Sequence, residues 1–212
     1  MSDNEKKQFW IVRAVNVFGD LVVLNVIFIL FSCLIVTIGA SLSALYTVTI
    51  RIVKKEDGPV WKGFTEAFKK NFVIATKVWL IVLLMAGLLF GQYVFVINYA
   101  GNVASFYLLV IVIELILLLV AIPFVFPYIA RYDNDLKTTI KNSFLIGLSN
   151  LGGVIKIAVA WIGPIGISII YPKIFLLTWY LWIICFFAVI AFISSFSVVK
   201  AFERIQADNK NK

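Results

Sequence analysis

Histidine is absent from the 212 residues, and cysteine occurs only twice. Without histidine the chain lacks the commonest general base and the commonest transition-metal ligand. Cys33 and Cys185 both sit inside apolar runs, where a metal site or structural disulfide is not expected and small packing residues are. There is no Gly-x-Ser-x-Gly, no His-Glu-x-x-His and no glycine-rich phosphate loop ending in Lys-Ser or Lys-Thr. These absences argue against an enzyme, and no cofactor or metal is expected. Charge is also scarce, at 14% of residues against 62% hydrophobic. The N-terminal stretch before Gln8 has no short apolar core followed by small residues, so it does not read as a cleavable signal.

Long uncharged stretches take the place of charge. None of the residues from Leu21 to Ile50 is charged, and the run from Val78 to Ile113 is broken only by a polar patch at 98–102. Leu115 to Ala130, Ile157 to Pro172 and Ile174 to Val199 follow. About 20 apolar residues suffice to cross a hydrocarbon layer of roughly 30 Å. The chain therefore reads as one all-α, polytopic membrane domain.

Basic residues are retained on the cytoplasmic side, so loops should alternate between rich and poor in Lys and Arg. With six crossings, eighteen of the nineteen Lys and Arg residues fall on one side, and Lys173 alone on the other. The expected spans are about 14–38, 40–53, 73–97, 103–130, 154–171 and 174–200, with the first turn at Gly39-Ala40-Ser41. The second span is short, at about 21 Å for 1.5 Å per residue. Both termini are expected in the cytoplasm. Five spans with an external N-terminus is the alternative.

Two segments carry helical periodicity without enough apolar length to cross. In 60–72, Trp61, Phe64, Phe68 and Phe72 recur every three or four residues, with Lys62, Lys69 and Lys70 opposite. In 135–150, Leu136, Ile140, Phe144, Gly147 and Leu151 stand against Lys137 and Lys141, behind candidate caps Asp133, Asn134 and Asp135. Both read as cytoplasmic interfacial helices. Trp61, Phe64, Phe68, Lys69 and Lys70 are the candidate lipid-facing set, basic residues toward anionic lipid. Lipid explains the basic excess better than nucleic acid does, so no nucleic-acid partner is expected.

Glu114 is the candidate intramembrane site. A carboxylate within a span is costly unless protonated, paired or facing water. Its own helix face offers Ile111, Leu118 and Ala121, with the Tyr107 hydroxyl two turns away. It is either a hydrogen-bonded structural acid or part of a solute or ion pathway. Asn16, Asn25, Thr37, Ser41, Ser43, Thr47 and Thr49 stud the first two spans and suit hydrogen bonds between helices. Pro123, Pro127 and Gly163-Pro164 loosen or bend their helices.

The stretch Phe126-Pro127-Tyr128-Ile129-Ala130-Arg131-Tyr132-Asp133, followed by Leu136-Lys137 and by Lys141-Asn142-Ser143-Phe144-Leu145-Ile146-Gly147-Leu148-Ser149-Asn150, resembles the signature of the YesL family of bacterial membrane proteins, a domain of unknown function. Gly39-Ala40-Ser41, Ala44-Leu45-Tyr46 and the aromatic-basic helix are similar to its first motif. Ala40 and Leu151 stand where the family often has proline, and Ser143 where it often has alanine. The resemblance implies a multi-helix inner-membrane protein. Family members tend to be encoded beside carbohydrate ABC importers, which makes such an importer the expected partner and sugar uptake the expected context. Gly39, Arg131, Lys141, Asn142 and Asn150 are the motif positions of unassigned role.

Overall fold

The computed structural model describes residues 3–56, 58–99 and 101–210. Among these it is helical throughout, without strands. The helices are α1 (Asp3–Phe31), α2 (Ile38–Val53), α3 (Val60–Tyr99), α4 (Ala104–Arg131), α5 (Leu136–Ser149), α6 (Leu151–Ile170), α7 (Pro172–Leu181) and α8 (Phe187–Lys210). A π turn, Trp182–Phe186, joins α7 to α8. Six segments are long and apolar enough to cross a membrane: Trp10–Phe31, Ile35–Val53, Val60–Asn98, Ala104–Arg131, Leu151–Ile170 and Pro172–Ala207. The protein is a multi-pass helical membrane protein.

α2 is the central helix, packed by α1, α3, α4 and α8. Its first half is built from Gly39, Ala40, Ser41, Ser43 and Ala44, all buried. Small side chains let neighbouring backbones approach closely, which is how helices associate when lipid removes the usual apolar driving force. Gly39 shows this directly. A Cβ there would lie 2.5 Å from both the Ala75 carbonyl oxygen and the Trp79 Cβ. Gly39 is therefore a contact residue inside a helix and not the turn expected at 39–41. The turn comes earlier, at Ser32 to Thr37. The Thr37 hydroxyl donates to the carbonyls of Phe31 at 2.6 Å and Leu34 at 2.8 Å, closing the end of α1. The second span gains length from this shift. Counted from Ile35 it has 19 residues, about 28 Å at 1.5 Å per residue.

The helix expected at 60–72 is likewise not a separate interfacial helix. It is the opening of α3, which runs for 40 residues without a break. No proline interrupts it, and its first glycine after Gly63 is Gly87. Gly58-Pro59 does start it, as expected. The Arg51 guanidinium donates to the carbonyls of Gly58 (3.1 Å) and Pro59 (3.2 Å), tying the end of α2 to the start of α3.

α5 lies where the second surface helix was expected and starts at its cap. Asp135 accepts a hydrogen bond from the Thr138 amide at 3.4 Å. The buried face differs from the one read from the sequence. Thr139, Ser143, Ile146 and Gly147 are buried, while Ile140, Leu145 and Leu148 are exposed. Gly147 decides this, because a Cβ there would run into the Val120 carbonyl. α5 packs most closely on α4, its small residues inward. α4 runs through Pro123 and Pro127, and α6 through Pro164.

Candidate functional site

The polar groups within the spans are mostly consumed between helices. Asn25, fully buried on α1, donates from Nδ2 to the carbonyls of Trp182 (3.0 Å) and Ile183 (2.7 Å). Its Oδ1 accepts from the Ala188 amide at 3.0 Å. A π turn disturbs the regular helical hydrogen-bond ladder, and Asn25 braces it from the neighbouring helix. Asn71 donates to the Ser43 hydroxyl at 2.8 Å, and the Thr49 and Ser195 hydroxyls pair at 2.8 Å. The Trp161 indole donates to the Tyr46 hydroxyl at 2.9 Å, and the Trp79 indole to the Ile35 carbonyl at 2.7 Å. Thus Asn25, Ser43 and Thr49 act between helices as their pattern suggested. Ser41, also fully buried, has a hydroxyl without a hydrogen-bond partner among the described residues. Asn16 lines a polar hollow beside Arg13, Asp20 and Arg51.

Glu114 has a partner that its own helix did not reveal. Gln92, on α3, donates from Nε2 to both carboxyl oxygens of Glu114, each at 3.1 Å. Both residues are half-buried. The amide oxygen of Gln92 is buried without a partner among the described residues, leaving the pair one further acceptor.

The second motif gathers where α4, α5 and α8 meet. The Tyr128 hydroxyl accepts from Asn134 and from Asn142, both at 2.7 Å. Asn142 thereby ties α5 back to α4. Arg131 donates to Gln206 at 3.3 Å and lies over the rings of Tyr132 (5.9 Å) and Phe202 (5.5 Å). Asn150 joins α5 to α6, and its carbonyl accepts from the amides of Gly153 (2.9 Å) and Val154 (3.0 Å). Lys141 is exposed. Tyr128, Tyr132, Asn142 and Gln206 share the wall of an open hollow of about 520 Å3.

The aromatic-basic set divides. Phe64 is fully buried, with its ring 5.4 Å from that of Phe31, and Phe68 is half-buried with its ring 4.8 Å from the same residue. The lipid-facing assignment is corrected for both. Their apolar stripe is covered by the end of α1, a partner that periodicity alone does not disclose. Trp61, Lys69 and Lys70 are exposed, and Lys70 pairs with Asp133 at 2.6 Å.

Between the spans lies an apolar cavity of about 380 Å3, whose walls include Leu42, Tyr46, Trp79, Leu115, Pro123 and Trp161. No group of three or more His, Cys, Asp or Glu residues suited to a metal is found among the described residues.

Residues 21–93 match the family described as "Protein of unknown function, DUF624". The match spans about a third of the chain. YesL is a DUF624 family, so the match agrees with the resemblance read from the motifs. The segment covers the end of α1 from Leu21, all of α2 and most of α3, the part of the chain built around the Gly39 contact. The Tyr128–Asn142 cluster lies beyond it. No curated protein and no solved structure matches the chain.

Proposed function

We propose that this DUF624 protein is a non-enzymatic accessory to carbohydrate uptake, acting in the bacterial inner membrane on an ABC importer. One observation carries the choice of accessory over carrier. Most of the polar side chains of the central helices are spent on contacts between helices, and the cavity among the spans is apolar. A binding site for a hydrophilic solute needs several converging polar groups, and that cavity offers few. The opposite holds at the end of the bundle expected in the cytoplasm. There the start of α3, the outer face of α5 and the last turns of α8 display Trp61, Lys62, Lys69, Lys137, Lys141 and Arg204, all exposed. Such a surface suits contact with a protein partner and with anionic lipid. The sugar context comes from the YesL resemblance.

Purification from native membranes in mild detergent tests this. The subunits of an ABC importer should accompany the protein, and liposomes holding only this protein should pass no sugar. Sugar flux into those liposomes, with no importer recovered, would overturn the proposal. It would favour a second reading, a small transporter with Glu114 in its pathway. The unused Gln92 acceptor is the observation that supports that reading, because it leaves the pair able to take a further donor.

A further inference from the structure

The first turns of α6 face the latter part of α8 across a cavity of about 200 Å3. α8 contributes Ser197, Lys200 and Arg204, a single stripe at helical spacing. From the other side come Asn150, Gly152 and Lys156. Among the described residues no carboxylate lines the space. The ion pairs among the described residues are Lys62–Glu66 and Lys70–Asp133, both elsewhere. Glu203, next to Arg204 on α8, is exposed and joins neither pair. Three cations from two helices therefore line one small space with no counter-ion among the described residues.

Like charges held together repel, and more strongly beside low-dielectric material than in open water. Both helices belong to membrane spans, so these cations stand at the edge of the apolar bundle. An anion in the cavity would relieve the repulsion. The size restricts which anion. Sites that enclose drug-sized ligands run to roughly 300–1,000 Å3, and this one is smaller. Arg204 presents a fork of N–H donors suited to phosphate oxygens, the lysines add point charges, and the Ser197 hydroxyl can donate as well. The Gly153 and Val154 amides at the start of α6 are taken by the Asn150 carbonyl, so that helix adds only the positive end of its dipole.

We propose that this cavity binds one phosphoryl group, held by Lys156, Lys200 and Arg204. The group can arrive on an anionic phospholipid headgroup or on a soluble phosphate, and the same three cations serve either.

The test uses the full chain in nanodiscs of neutral phosphatidylcholine. One arm adds phosphatidylglycerol to the bilayer; the other adds inorganic phosphate to the buffer. Bound ligand is read by native mass spectrometry and by thermal shift. Near a membrane surface each basic residue contributes about a fivefold gain in affinity for anionic lipid. The Lys156→Gln, Lys200→Gln, Arg204→Gln variant should therefore weaken binding on the order of a hundredfold. Gly152→Glu is a second probe. Nothing lies within 4 Å of the position its Cβ would take, so the carboxylate fits and should displace the ligand without unfolding the chain. A control removing Lys54, Lys55 and Lys77, none of which lines this cavity, loses the same charge and should still bind. Selective binding in the lipid arm identifies a headgroup, and in the buffer arm a soluble phosphate. Binding in neither arm, or equal loss in the control, overturns the proposal.

Discussion

Replacing Asn25 with leucine removes three hydrogen bonds while changing side-chain volume little. The amide nitrogen loses the carbonyls of Trp182 and Ile183, and the Ala188 amide loses its acceptor. Hydrogen bonds between membrane helices average about 0.6 kcal/mol each and reach about 1.7. Three of average strength give about 2 kcal/mol, and three at the upper end about 5. The site is fully buried, and the backbone groups left behind belong to a π turn, which puts the expectation in the upper half of that range. Unfolding in mixed micelles with rising dodecyl sulfate, followed by far-ultraviolet circular dichroism, measures the difference. Asn16→Leu is the control, since Asn16 is exposed on the same helix and should shift stability by under about 0.5 kcal/mol. If Asn25→Leu matched that control, Asn25 would not be holding the last span, and the account of the π turn would be wrong.

Gly39→Val should fail to accumulate as folded protein, or lose about 1–3 kcal/mol or more, because its side chain meets the Ala75 carbonyl and Trp79; the same unfolding titration reads it. Glu114→Gln should fold and function as wild type, and Glu114→Leu should cost about 1 kcal/mol by stranding the Gln92 amide. A stable, abundant Glu114→Gln protein that no longer supports growth on sugar would instead promote the transporter reading. Single cysteines at Glu56 and Val103, in a chain without Cys33 and Cys185, test orientation: an impermeant thiol reagent on intact cells should label Val103 alone. Hydrogen bonds from Thr138 hold the Asp135 carboxyl below its ordinary value. Its capping contribution is therefore complete above the ordinary carboxylate range and fades as pH falls through it. Protection of the first-turn amides of α5 from hydrogen exchange, corrected for the intrinsic pH dependence of exchange, should fall on acidification in wild type and be low at all pH in Asp135→Ala.

The crossings were legible in the sequence because they follow from composition and charge, which are local properties. Gly39 was misread for the same reason. A glycine among small residues signals a turn when only its neighbours are considered, whereas here it answers to Ala75 on another helix. Phe64 and Phe68 announce an apolar stripe, but the stripe does not say that Phe31 covers it. Gln92 went unnoticed beside the more conspicuous Glu114, although the short turn at Gly101–Val103 offered a clue. Folding the hairpin about that turn brings residues at similar distances from it to similar levels, and Gln92 and Glu114 lie at roughly matching distances. The three cations around Ser197 were counted in the sequence only as topology signals. Their convergence depends on α6 lying against α8, which the order of the chain does not reveal.

α3 is long enough to act as a lever. Forty residues make a rod of about 60 Å, twice the hydrocarbon thickness, with Gln92 near one end and Trp61 at the other. Its first half is held three times over: by the Phe31 ring against Phe64 and Phe68, by Asn71 on Ser43, and by Gly39 against Ala75 and Trp79. The free arm therefore starts near Trp79. A tilt of about 5° of that arm would carry Gln92 sideways by roughly 2 Å, enough to stretch its hydrogen bonds to Glu114 past their working length while the gripped half stays in place.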